Sequence, residues 1–337
     1  MAKTLMEWQS YVDDTFDAHT PGGCMALVRG GAVELVRAHG VTRLEESTAI
    51  DRDTPMQLAS ISKAIFALVV LRLCGEGKLD LDATIDRYVP ELEAYDDCTL
   101  RHVLSHTSVI PNVYGLLLFT YDIEKKLGRL PRDRYESRDM VKRIVGAKRS
   151  KKHRPGERML YNNAAYDCLA VVIENVTGQQ VTEVMRSVFD EWGMTSTGLH
   201  DGSIATEGHV KIWRTVDRYP PHPLDYPYGS GGVVSTLDDM LVLQRVLAEG
   251  RTGVPDELLE HAWTPTEMPS GKTLPYGLGW GLEGEGAAKL VWHNGGWRGF
   301  RSAFYWRPAT DDAAIVLLNR DDVDPDKLAL AMLGVSS

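Results

Sequence analysis

Strand-like segments lie at the two ends of this chain and helix-like segments fill the middle, which limits the fold more than any other feature. Residues 24–42 contain "CMALVRGGAVELVRAHGV", two apolar runs around a Gly30-Gly31 turn, and so read as a β-hairpin. Strand character returns only near the C-terminus, in "KLVWHNGG", "RSAFYWRP" and "DAAIVLLNR". Between them the pattern is helical. An apolar helix over 60–74 stops at Gly75 and Gly77, Thr99 opens "LRHVLSH", residues 164–176 stop before Gly178, Thr182 opens "EVMRSVFDEW", and Thr236 with Asp239 opens "LDDMLVLQRVLAEG". "DPDKLALAMLG" adds a last helix. The arrangement predicts an α/β protein of the α+β type, one sheet built from both termini with a mainly helical lobe inserted. Residues 1–75 with 265–337 form the sheet lobe, 76–264 the helical lobe, and a cleft lies between them.

Composition narrows the function. A chain of 337 residues with 43% apolar content can bury a large core, and a formal charge of −10 argues against nucleic acid as a partner. No run of eighteen apolar residues is present, and "MAKTLMEWQSYVDDTFD" lacks the layout of a secretory signal, so a cytoplasmic protein with no membrane partner is expected. Cys24, Cys74, Cys98 and Cys168 are scattered, with no CxxC pair and no cluster of metal ligands; free thiols and no metal are expected. Lys125 to Arg158 is strongly basic, which fits either a solvated helical face or a rim that attracts an anionic substrate.

Chemistry concentrates in three places. In "LASISKAIFALVVLRLCGEGKL", Ser60 and Lys63 are three residues apart and share one helix face. Ser60 sits at the helix start, where free N–H groups favour negative charge. That field and burial both disfavour an ammonium, so a neutral Lys63 can accept the Ser60 proton and activate the hydroxyl. A serine N-cap followed by an ordinary lysine explains an isolated SxxK equally well. In "MLYNNAAYD", Tyr161 and Asn163 can face one cleft, the phenol moving a proton and the carboxamide bonding a substrate amide; Asn163 as an N-cap and Tyr161 as a packed aromatic is the alternative. In "VWHNGGWRGF", Gly295 and Gly296 let a substrate backbone approach a strand while His293 offers a donor to substrate or to Tyr161. His200-Asp201-Gly202 has the same letters without the strand context.

Together SxxK, YxN and HxG resemble, in order and spacing, the serine β-lactamase and penicillin-recognising enzyme superfamily, in its class C-like branch of DD-peptidases, D-aminopeptidases and esterases. "LRHVLSHTS", "PGERMLYNN", "SGGVVSTLDDM" and "YGLGWGL" extend the resemblance over nearly the whole chain. It implies a β-lactamase/transpeptidase-like fold with an antiparallel sheet. It also implies Ser60 as nucleophile, Lys63 as its proton partner, Tyr161 as acid and base, and an oxyanion hole from the backbone N–H groups of Ser60 and Gly296. Asn163, Asn294, Gly295, Trp297 and Arg298 would contact substrate, Trp297 as an aromatic wall and Arg298 as a partner for a carboxylate or phosphate. Val109 stands where relatives commonly carry glycine, and His293-Asn294-Gly295 replaces KTG, removing groups that hold a β-lactam carboxylate. The function expected is a cofactor-free serine hydrolase cleaving a small ester or amide through an acyl-Ser60 intermediate. An acyltransferase using the same intermediate, and a non-catalytic binding protein on the same scaffold, are the alternatives.

Overall fold

The structure, a computed structural model, describes residues 18–45, 48–118, 121, 134–149, 152–213 and 215–335. Strands β1 (Gly23–Arg29) and β2 (Ala32–His39) form the expected hairpin, with Gly30 and Gly31 both at positive φ in a two-residue turn. Three short ladders follow: β3 (Met56–Gln57) pairs with β7 (Val233–Ser235), which also pairs with β4 (Gly198–Leu199); β5 (His209–Ile212) pairs with β6 (Thr215–Arg218); β8 (Thr266–Glu267) pairs with β9 (Thr273–Leu274). The C-terminal strands β10 (Gly281–Glu283), β11 (Leu290–Trp297), β12 (Phe300–Arg307) and β13 (Asp312–Leu318) complete a six-stranded sheet. Its order is β10-β11-β12-β13-β1-β2, antiparallel throughout, so the N-terminal hairpin joins the C-terminal meander at β13.

Eight helices carry labels here: α1 (Ile61–Gly75), α2 (Leu100–Leu104), α3 (Ser137–Gly146), α4 (Asn163–Thr177), α5 (Val181–Trp192), α6 (Leu237–Ala248), α7 (Asp256–Ala262) and α8 (Pro325–Met332). Both faces of the sheet are covered. Ala313, Ile315 and Leu317 of β13 face the large core beneath α1 and α6, while Ala314, Val316 and Leu318 face a second core under α8. That double burial explains why "DAAIVLL" is apolar at every position instead of alternating. Helix α1 is likewise buried on all sides from Ile61 to Leu71, lodged between the sheet and α4, so it has no polar face to show in the sequence. Helix α6, assigned to the inserted lobe by its position, packs on β1 and β13 and so also forms a layer of the sheet.

Helix starts follow local hydrogen bonding. Thr99 and Thr236 cap α2 and α6 through their hydroxyls, accepting from the N–H groups of His102 at 3.3 Å and Asp239 at 3.2 Å. Helix α5 begins at Val181 rather than Thr182: the Gln180 N–H donates to the Glu183 carboxylate at 3.3 Å, so the cap lies two residues before Thr182. Among the described residues no helix is long and apolar enough to cross a membrane. Cys24, Cys98 and Cys168 are buried free thiols and Cys74 is half-buried.

Candidate active site

The segment before α1 is clamped from two sides. Leu58 donates its N–H to the Val233 carbonyl at 2.9 Å, and its own carbonyl accepts the Ser302 hydroxyl at 2.7 Å. The β3–β7 ladder and strand β12 therefore fix where α1 begins. Ala59 is held at φ +48, a left-handed conformation that costs a non-glycine residue on the order of 1 kcal/mol, and it turns the chain directly into Ser60. Ser60 occupies the N-cap position, yet its hydroxyl caps nothing. Its Oγ instead lies 3.1 Å from Lys63 Nζ. Lys63 is fully buried, donates to the Ser230 carbonyl at 2.8 Å, and sits 4.8 Å from the Tyr161 ring centroid.

The YxN segment leads into α4 through Asn162, not Asn163. Asn162 Oδ1 accepts the Ala165 N–H at 3.1 Å and its Nδ2 donates to the Ile110 carbonyl at 2.5 Å. Asn163 is thereby freed from capping, and its Oδ1 is buried with no partner while the residue lines the Ser60 pocket. Tyr161 is 45% exposed, with its ring 4.2 Å from that of buried His106. His106 Nδ1 accepts the Asn162 N–H at 3.2 Å, so this imidazole supports both the aromatic ring and the cap.

The third motif divides between the two faces of β11. Gly295 faces α1 so closely that an added Cβ would stand 2.2 Å from the Leu58 carbonyl oxygen and 3.0 Å from the Ser60 nitrogen. Only glycine fits there. Gly296 lies opposite Arg301, one step from the Trp297–Phe300 pair that closes a two-residue turn. At that register its N–H points away from β12, and its backbone lines the pocket with Ser60. Trp297 forms a wall of the same pocket and donates from Nε1 to Asp225 at 2.5 Å.

Three expectations do not hold in this geometry. His293 is 2% exposed and lies below the pocket: Nδ1 donates to the Asn294 carbonyl at 2.6 Å, which leaves Nε2 to accept the Tyr276 hydroxyl at 3.1 Å. Burial first, and the neighbouring Lys63 charge second, push its pKa down to about 3, so the ring is neutral and its one N–H is already used by the Asn294 carbonyl. Asn294 lies on the other face of the sheet and donates to Asp326 at 2.7 Å. Arg298 donates to the Pro220 carbonyl at 2.5 Å and stacks over Tyr219, holding the 219–221 loop beside a neighbouring cavity rather than reaching into the Ser60 pocket. Alternation along the strand explains Asn294, while His293 shares the face of Gly295 and is held away from substrate by its bonds to Tyr276 and the Asn294 carbonyl.

Residues that motif reading missed complete the pocket. Gln57, Tyr114 and Ser230 line it, and Asp225 anchors Trp297. Buried Asp167, on α4, accepts the Tyr114 hydroxyl at 2.7 Å and the Ser230 N–H at 3.0 Å. One clue is Gly229, which lies at φ +117 with an added Cβ 2.2 Å from the Tyr166 carbonyl oxygen and brings the 229–232 loop onto α4. The basic segment 125–158 falls partly outside the described residues. Within them, Arg138 pairs with Glu174 at 3.2 Å and Arg149 with Asp97 at 2.6 Å, as in a solvated helical face.

A serine bonded to a buried lysine at the start of a helix, facing strand β11 of an antiparallel sheet, is the arrangement of penicillin-recognising folds. The chain belongs to the Beta-lactamase family, whose model matches residues 3–336. It is 26% identical over 310 residues to a penicillin-binding protein of Bacillus subtilis (strain 168), covering 87% of this chain and 66% of that one. It is 24% identical over 299 residues to the D-aminopeptidase of Gluconobacter oxydans (strain 621H), covering 84% of this chain and 52% of that one. The chain thus spans half to two thirds of the length of these two relatives. Among solved structures, the octameric penicillin-binding protein homologue from Pyrococcus abyssi superimposes with a TM-score of 0.83 at 21% identity, over 99% of this chain and 78% of that one. The D-amino acid amidase from Ochrobactrum anthropi SV3, complexed with L-phenylalanine amide, gives 0.75 at 22% identity, over 93% and 90%.

Proposed function

We propose that the protein is a serine hydrolase that cleaves a small ester or amide through an acyl-Ser60 intermediate. One observation carries the reading: the Ser60 hydroxyl is left uncapped and bonded to a buried lysine, in a pocket also lined by the Gly296 backbone and by Asn163. Lys63, charged at rest, first yields a proton, and then takes the Ser60 proton as Oγ attacks the carbonyl carbon. The tetrahedral oxyanion meets the N–H groups of Ser60 and Gly296, an arrangement worth roughly 3 kcal/mol per donor in enzymes of this kind. The carbon–leaving group bond then breaks, with the proton returned to the leaving group from Lys63 by way of Tyr161. Water adds to the acyl-enzyme by the reverse proton path and releases the acid.

Asn163 lines the pocket and carries a carboxamide that can bond an amide on the acyl side, which makes D-amino acid amides, the class in the name of the similar D-amino acid amidase, the first substrates to try. The test is intact mass after exposure to a fluorophosphonate probe, together with nitrophenol release from p-nitrophenyl acetate. A single adduct and turnover are expected in the wild type, with both lost by at least about 10³-fold in Ser60→Ala. A wild type that forms no adduct overturns the reading in favour of a silent scaffold.

A further inference from the structure

Lys63 is completely buried on α1, and its hydrogen-bond partners, Ser60 Oγ and the Ser230 carbonyl, carry no formal charge. A buried cation without an opposite charge is costly, so the surrounding structure should supply one. Asp167 is the buried carboxyl nearest in connectivity. Its Oδ1 accepts the Ser230 N–H and its Oδ2 the Tyr114 hydroxyl, which itself lies 3.3 Å from Ser230 Oγ. Ser230 therefore bridges the two groups, its N–H on Asp167 and its carbonyl on Lys63.

We propose that Asp167 is the counter-charge and positioning residue for Lys63, acting through Ser230 and held in place by Tyr114. The assignment rests on the acyl-Ser60 reading for its catalytic consequence, though not for its electrostatic one. When Lys63 takes the Ser60 proton, a positive charge forms in a dry site, and a carboxylate one residue away stabilises it without moving. Asp167 itself never touches the reacting atoms. The groups facing it are Lys63 from α1, Tyr114 from the 111–118 segment, Ser230 from the 229–232 loop and Cys168 on its own helix. Burial pushes its pKa up to about 6, opposed by the Ser230 and Tyr114 hydrogen bonds and the Lys63 charge. Its loss of charge therefore falls at mildly acidic pH.

Two measurements on the full chain test this. The first needs no activity: thermal unfolding at pH 7.5 of the wild type, Asp167→Asn, Lys63→Met and the double variant. The Asn substitution is expected to lower Tm by at least about 3 °C more when Lys63 is present than when it is Met, because only then does it strand a buried charge. Equal losses in both backgrounds overturn the counter-charge, whatever the protein catalyses. The second is the pH dependence of Ser60 labelling by fluorophosphonate. The wild type should lose reactivity below about pH 6, while Asp167→Asn should react about 10- to 100-fold more slowly at pH 7.5 and lack that inflection. Slower labelling with the inflection unchanged assigns Asp167 to packing alone and also overturns the proposal. A wild type that fails to label at all counts against the acyl-Ser60 reading, and the Tm cycle still decides the pair.

Discussion

Asn163 shows how one missing hydrogen bond can point to a ligand. A buried carboxamide oxygen without a donor costs stability, and because Asn163 lines the Ser60 pocket, a turn of its side chain lets a substrate N–H supply what the protein does not. Asn163→Ala should therefore raise KM for an amide-bearing acyl group about 5- to 10-fold and leave KM for acetate esters unchanged. Thermal stability should stay level or rise. Steady-state kinetics on matched substrates with and without the amide checks this, and equal effects on both would remove the contact. The Ser60 and Lys63 pairing was legible because helical spacing alone brings residues three apart onto one face. Tyr114, Asp167 and Ser230 were not, since they come from three separate segments and meet only through long-range packing. His293 misled for the opposite reason: the motif was in place on the face toward α1, but both ring nitrogens were taken up by Tyr276 and the Asn294 carbonyl.

At the scale of elements, the site depends on how α1 and α4 are started and packed. Asn162 caps α4 and also ties its first turn to Ile110. Asn162→Ala should cost about 1–2 kcal/mol of stability, read from urea unfolding, and should slow Ser60-dependent turnover because Tyr161 and Asn163 flank the cap. Gly279 gives a sharper case. It lies at φ +87 with an added Cβ only 2.3 Å from Ala67 Cβ on α1, one turn from Lys63. Gly279→Ala should destabilise by about 3 kcal/mol or more and displace α1; an unchanged Tm would show that the loop yields freely. The long helices and the sheet strands were readable from periodicity and caps, but β3 and β7, at two and three residues, are too short to carry any. Yet that ladder sets the position of Ser60 against Ser230.

Across the whole molecule, His293, His106 and Asp167 link the site's construction to acid stability, and they act with opposite signs. His293 has its folded pKa depressed to about 3, and burial holds His106 well below its ordinary value. Between pH 6.5 and 3 the unfolded chain takes up protons that these folded imidazoles refuse, so stability present above pH 6.5 is lost as pH falls. Asp167 works the other way: its folded pKa is raised to about 6, so between about pH 4 and 6 the folded state keeps a proton that the unfolded chain releases, and stability falls as pH rises. Each fully titrating group contributes a slope of about 1.4 kcal/mol per pH unit. For these three groups, two imidazoles against one carboxyl predict net loss of stability on acidification, with Asp167 offsetting most near about pH 5, midway between its unfolded and folded pKa values. Urea unfolding at pH 7 and pH 5 separates the contributions. His293→Gln should show a shallower fall than the wild type, while Asp167→Asn should show a steeper one. Parallel curves for His293→Gln and the wild type would mean that the imidazole takes up its proton within the folded core, and that α1 and β11 part more readily beneath Ser60 than their packing indicates.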